Sequence, residues 1–215
     1  MKHLLVAFLI CLGTASFSLA APKAPGKWVE QVDPSLDPDV QADGDGFGMT
    51  VEGAKGRRLK RTYRLYGVDC PESDPKDPLV KGRMEEQARH FRVPVEEIPA
   101  WGRKAADFTE KLLKRGKPKV FTLGPMGERA KKNKGRRQRY YALIEVTDAK
   151  GQRRWLHELL LEAGLARALG TPAPWPEKNW QRDGEKKLRE EFMKELDKME
   201  NKAKRDGAGI WQKGG

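Results

Sequence analysis

The chain has 215 residues, with 43 Lys plus Arg against 31 Asp plus Glu and a formal net charge of +12. That length makes one domain or a small pair, and 38% hydrophobic with 34% charged residues gives a core under a densely charged surface, which excludes collagenous, disulfide-rich and multi-span membrane classes. Two cysteines and three histidines are too few for a zinc cluster or a disulfide framework, so any metal would sit on oxygens.

Lys2 and His3 precede an apolar run from Leu4 to Gly13, and Ser18-Leu19-Ala20 follows as an A-x-A-like triplet, the pattern of a secretory signal peptide over residues 1–20. The alternative is an uncleaved anchor, although Leu4 to Ala20 is barely long enough to span and Thr14, Ser16 and Ser18 weaken its far end. Cys11 lacks the small preceding residues of a lipidated cysteine, and Cys70, left without a partner, reads as a buried small hydrophobe. Residues 21–39, rich in proline and acid, are expected as a flexible lead over the surface, with the folded domain at 40–212.

Within the domain, Phe47 to Val68 reads as a hairpin turning at Gly53-Ala54-Lys55-Gly56. A helix-like stretch over Lys81 to Arg92 and a helix start near Pro94 follow, and then a clearer helix in which Trp101, Ala105, Phe108 and Leu112 recur at spacings of 4, 3 and 4 until Gly116. Val120 to Leu123 and Tyr140 to Val146 read as strands around a basic loop, and Trp155 to Ala163 as a short helix stopped by Gly164. After a connection rich in Pro and Trp, Leu188, Phe192, Leu196, Met199 and Ala203 form one apolar stripe on a long charged helix. The order suggests an α+β fold, a small β-barrel carrying about three packed helices, with periodicity alone unable to choose barrel over open sheet.

Three islands carry chemistry: Asp43-Gly44-Asp45-Gly46, Arg64-Leu65-Tyr66-Gly67-Val68-Asp69-Cys70-Pro71-Glu72, and Arg136-Arg137-Gln138-Arg139-Tyr140-Tyr141-Ala142. Asp45 and Asp69 offer hard oxygens suited to calcium or magnesium, or are merely turn residues. Arg64 and Arg139 carry guanidinium forks that can meet phosphate oxygens, and Glu72 follows a proline that fixes its turn. Seven cations in the eleven residues from Arg129 to Arg139, among them Lys131, Lys132, Lys134, Arg136 and Arg137, form a basic stretch that attracts nucleic acid without sequence preference, or a solvated loop.

In their order these islands resemble the thermonuclease family, the staphylococcal-nuclease-like OB-fold enzymes, whose signature of arginine, apolar strand and Asp-Thr-Pro-Glu stands here with Cys70 in the threonine position. The resemblance spans most of residues 40–212 and implies a five-stranded OB-type barrel, with residues 75–99 inserted between the signature and the next helix. It implies that Asp45, Asp69 and the main-chain carbonyl of Cys70 hold calcium, that Glu72 is the general base, and that Arg64 and Arg139 clamp the phosphate, with Arg136 or Arg137 taking the second role after a slip in register. The chain departs from the family at Gly46, where a threonine is usual, and near Gly170 and Pro172, where two pocket tyrosines are unmatched and Trp175 or Trp180 could substitute. His90 and His157 have no role in this scheme.

The expectation is an exported calcium-dependent nuclease, periplasmic or secreted, without stable membrane association and with a monomer favoured though the sequence leaves the oligomeric state open, that cleaves DNA, with RNA as a second candidate polymer, by water attack. By the resemblance the 5′ oxygen leaves. A non-catalytic OB-type module binding nucleic acid or another polyanion would keep the basic loop but would not need Arg64, Asp45, Asp69 and Glu72 together. An envelope protein that binds a partner through its charged C-terminal helix is the third reading.

Overall fold

The computed structural model describes residues 28–40, 43–76, 80–125, 139–169 and 183–212. The expected signal peptide, Lys131, Lys132, Lys134, Arg136, Arg137, and the Gly170–Trp180 connection lie outside these residues. The architecture is mixed α+β: strands β1 (Val29–Glu30), β2 (Val32–Leu36), β3 (Gly46–Glu52), β4 (Arg58–Leu65), β5 (Val68–Asp69), β6 (Lys119–Pro125), β7 (Arg139–Thr147), β8 (Arg153–Trp155) and β9 (Arg167–Ala168), and helices α1 (Lys81–Phe91), α2 (Ile98–Lys114), α3 (Leu156–Glu162) and α4 (Asp183–Asp206).

One sheet runs in the order β1-β6-β7-β4-β3-β2 with β8 on the far end of β7, and β5 pairs with β9 separately. The β4–β7 ladder is parallel, with Arg64 opposite Tyr141, and the other ladders are antiparallel. The two ends of this path, β1 and β2, are separated in sequence by Gln31 alone, so the sheet curls until its edges meet there, although the ladder itself is an open path. The sheet thus has seven strands where five were expected, because the first segment is broken in two and the short β8 is added. Val29–Leu36, within the stretch expected as a surface lead, belong to this sheet. Their signal is weak because Asp33 takes a positive φ and the register with β3 shifts between Val32 and Ser35, where Pro34 can donate no ladder bond.

Alternation on β3 sends Phe47, Met49 and Val51 inward against Tyr63 and Leu65 of β4. Strand β7 is buried continuously from Tyr141 to Ile144 because it lies inside the path with α2 and α3 packed against it. Helix α4 closes this core with Phe192 and Leu196, the Phe192 ring 5.6 Å from Tyr66, while Leu188 at the start of its stripe stays exposed. A smaller cluster of Met84, Ala88, Phe91, Ile98 and Ile210 docks helix α1 onto the start of α2 and the C-terminal turn.

His157 lies in the main core between Trp155, 6.0 Å away and nearly parallel, and Phe192 at 5.5 Å. Neither ring nitrogen finds a hydrogen bond among the described residues, and burial holds its pKa down at about 3. The folded state therefore takes up its proton later than the unfolded chain, so the stability present above pH 6.5 is lost as pH falls towards 3. Urea unfolding across that window should show a loss on the order of 4 kcal/mol from this group, and His157→Leu should flatten the slope by about one proton. An unchanged slope in the variant would place the acid sensitivity elsewhere.

Candidate active site

The loop before β3 is pinned from three sides. Gly46 donates its N–H to Asp43 Oδ1 at 2.6 Å, Asp43 N–H donates to the Gly46 carbonyl, and Thr109 of α2 donates its hydroxyl to the Gly44 carbonyl at 2.7 Å. Gly44 has φ +90°, and a Cβ there would lie 2.9 Å from both Ala105 and Cys70, so only glycine lets the loop lie this close to α2. Asp45 is thereby held inward: its carbonyl accepts from Leu65 N–H and its Oδ2 accepts from Cys70 N–H at 2.9 Å. The absence of a threonine at 46 leaves this loop well anchored, because the Asp43 carboxylate occupies the space beside Gly46.

Asp69 sits at the centre. It pairs with Arg167 in the β5–β9 ladder and is fully buried, yet four side chains reach its two oxygens. Oδ1 accepts from Arg64 Nη2 at 2.6 Å and Arg83 Nη2 at 2.7 Å, while Oδ2 accepts from Gln87 Nε2 at 2.9 Å and lies 2.8 Å from Arg167 Nη2. Arg64 Nη2 is also 3.0 Å from Asp45 Oδ2, so one nitrogen bridges the two acids. Arg83 Nη1 holds Glu72 Oε1 at 2.7 Å, and Arg167 forks onto Glu86 at 2.5 and 2.6 Å.

Burial alone would raise the Asp69 carboxyl, but Arg64, Gln87, Arg167 and Arg83 outweigh it and hold the pKa below the ordinary value. Asp45, with Arg64 as its cation and Asp43 and Asp69 nearby, is pushed by burial to about 8. Asp69 carries the charge in this pair, and Asp45 is the acid that desolvation keeps short of compensation. Glu72 is raised in the same way, burial outweighing the attraction of Arg83, and burial likewise keeps the Cys70 thiol protonated.

The structure thus brings together Arg64, Asp45, Asp69, Cys70 and Glu72. Arg139 is exposed at the first position of β7, opposite Thr62, and makes no ion pair with the acids among the described residues. It stands two positions before Tyr141, the partner of Arg64, a rise of about 7 Å along the strand. The residues that sequence reasoning missed are Arg83 and Gln87 of α1 and Arg167 of β9. The first two lie at i and i+4 on one helix face, a spacing that reads equally well as solvated surface.

Helix α2 supports the turn of Glu72 directly, because a Cβ on Gly102 would fall 2.5 Å from the Glu72 carbonyl oxygen and 2.7 Å from that of Pro71. Both are backbone atoms, so Gly102→Ala should destabilise the protein by about 1–2 kcal/mol even though alanine is the better helix former. Gly82→Ala in α1, with nothing within 4 Å, should instead stabilise by up to about 1 kcal/mol. Denaturant midpoints of the two variants check this opposition of sign, and equal signs would deny the close approach.

Among curated proteins none matches this chain. The family model described as Staphylococcal nuclease homologue matches residues 62–213, a span that begins inside β4 and contains Arg64, the Asp69–Glu72 turn and Arg139. Asp45 precedes it and reaches the site through the pinned loop. With more than half of its length matched and the signature residues gathered round one buried acid, the chain belongs to the staphylococcal nuclease homologue family.

Proposed function

We propose that this protein is an exported, calcium-dependent nuclease that hydrolyses phosphodiester bonds in DNA, and RNA as a second polymer, by direct attack of water. Family membership supports a phosphodiesterase acting on nucleic acid. The observation that carries the finer reading is the meeting of Asp45 and Asp69 on one nitrogen of Arg64, with Glu72 tied to the same Asp69 through one guanidinium. The accompanying fold reading is an OB-type barrel, since β1 and β2 are halves of one segment at the two ends of the sheet path.

The donor set fits a hard cation. Asp45 is the carboxylate that fits it best, since its burial is only partly offset by Arg64 and a divalent ion would relieve the rest, whereas both Asp69 oxygens already accept from Arg64, Arg83, Gln87 and Arg167, so Asp69 would join the shell by exchanging one of these donors. No group of three or more His, Cys, Asp or Glu side chains suited to a metal occurs among the described residues, so Asp45, Asp69 and the Cys70 carbonyl would be the protein's share, with water completing the shell. When bound, the ion polarises a phosphoryl oxygen and offsets the charge that develops there.

Glu72 supplies the base. Its raised pKa makes it a stronger proton acceptor than a surface glutamate, and with Oε1 engaged by Arg83, Oε2 is the oxygen that takes the proton from water. Arg64 donates to the phosphoryl oxygens from inside the site, and Arg139, exposed at the head of β7, meets the same group from the solvent side. The basic residues from 131 to 137 extend the attraction to the rest of the polymer without reading its sequence. Export rests on the pattern of residues 1–20, and millimolar calcium outside the cell suits a site with few protein ligands.

Purified protein should degrade single-stranded and duplex DNA with calcium and stop with chelator. Glu72→Gln should lower kcat about 10²–10⁴-fold, and Arg64→Met about 10²–10³-fold. Asp45→Asn should raise the calcium needed for half-maximal rate. Tight DNA binding without cleavage under any metal would sink the nuclease and leave a binding module, and fractionation that finds the chain only in the cytosol would sink export.

A further inference from the structure

The insertion between the signature and α2 forms one wall of the site. Helix α1 is docked by its apolar side, Met84, Ala88 and Phe91, and locked at its end by His90 Nε2 against Glu200 Oε1 at 2.8 Å. Its adjoining face carries Arg83 and Gln87 to the acids. Gln87 Oε1 accepts from Glu72 N–H at 2.9 Å, while its Nε2 donates to Asp69 Oδ2 and to the Cys70 carbonyl, also at 2.9 Å. A single amide side chain therefore holds the backbone of the whole Cys70–Glu72 turn. Arg83, one helical turn earlier, holds the side chains: its two terminal nitrogens take Asp69 Oδ1 and Glu72 Oε1, each at 2.7 Å.

The Glu72 carboxylate is 12% exposed, and among the described residues Arg83 is its ion partner. A mostly buried carboxylate on a three-bond stem would otherwise choose among rotamers, and a planar fork anchored on the fully buried Asp69 removes that choice. Docking the helix does not require this arrangement, since the apolar cluster and the Arg167–Glu86 fork already fix α1. Arg83 is also 41% exposed, so its guanidinium lies at the mouth of the site, where its effect falls on the reacting groups more than on the core.

We propose that Arg83 is a positioning residue for the reaction, holding Glu72 at a fixed place relative to Asp69 from a helix that the insertion supplies; this rests on the nuclease reading above. Arg83→Met should lower kcat about a hundredfold, the scale of a misplaced reacting group, and change KM for DNA less than about threefold. Arg83→Lys, which keeps the charge but cannot fork, should recover only part of the rate, and free guanidinium ion added to Arg83→Met should recover more than added ammonium. A rise in KM at unchanged kcat, full activity of Arg83→Met, or a slowed Arg83→Met that guanidinium rescues no better than ammonium would overturn the proposal.

Thermal unfolding of Arg83→Met, Glu72→Gln and the double variant reads the same contact without any turnover. The double variant should lose less than the sum of the single losses, and strict additivity would show that Arg83 does not hold Glu72. If the wild type cleaves no nucleic acid, the nuclease reading fails by itself, and this cycle still decides whether the brace exists.

Discussion

A fully buried carboxylate cannot stay ionised without partners, and Asp69 draws them from three elements besides its own: Arg64 from β4, Arg83 and Gln87 from α1, Arg167 from β9. Each of those side chains has a second duty, to Asp45, Glu72, the Cys70 carbonyl and Glu86 respectively. The position of Asp69 thus sets the relative placement of the curled sheet, the two-stranded β5–β9 ribbon and the inserted helix. Such a network gives little net stability, because the desolvation of its charges offsets most of their attraction, but any partner removed leaves an uncompensated charge. Its effect is on register: a slip of one residue between β5 and β9 would take Arg167 away from Asp69.

The acids are also set apart in protonation by this network. Asp69 is given more cations than its burial requires, and Asp45 fewer, although the same nitrogen of Arg64 touches both. The reason is topological. Asp45 enters on a loop pressed against α2, where Ala105 and Thr109 are its neighbours' contacts and carry no charge, whereas Asp69 ends a strand that faces α1 and β9. Two carboxylates of the same intrinsic acidity are in this way pushed in opposite directions, Asp45 up to about 8 and Asp69 below its ordinary value.

The legible parts of the sequence were those whose signal is local. Strand-forming stretches around a glycine-containing turn and a basic loop marked β3, β4 and β7, and the 4, 3, 4 spacing marked α2, whose observed start at Ile98 precedes Trp101 by one turn. Asp45, Arg64, Asp69 and Glu72, which the structure gathers in one place, were singled out by turn chemistry and family order. Val29–Leu36 were missed, since a broken, proline-containing segment pairing with β6 at one end and β3 at the other shows no period. The two-residue strands β5 and β9 are too short to leave one. Arg83, Gln87 and Arg167 escaped for a different reason: a cation or an amide on an amphipathic helix or a short strand looks the same in sequence whether it faces water or a buried acid 14, 18 or 98 residues away.

On the proposed reading, Arg64 serves both the fold and a substrate. Its contacts to the two acids use the single nitrogen Nη2, and a guanidinium has five N–H donors in a rigid plane. Among the described residues the acids occupy one corner of that plane, so the other edge can receive an anion without releasing Asp45 or Asp69. A lysine in the same place would have to choose, because its ammonium is a single point of charge on a flexible stem. The side chain is 14% exposed, most of it lying inside with the acids. On the proposed nuclease reading, the charge that keeps the buried acids in place is already oriented before any phosphate arrives, so the protein need not reorganise at the moment of reaction.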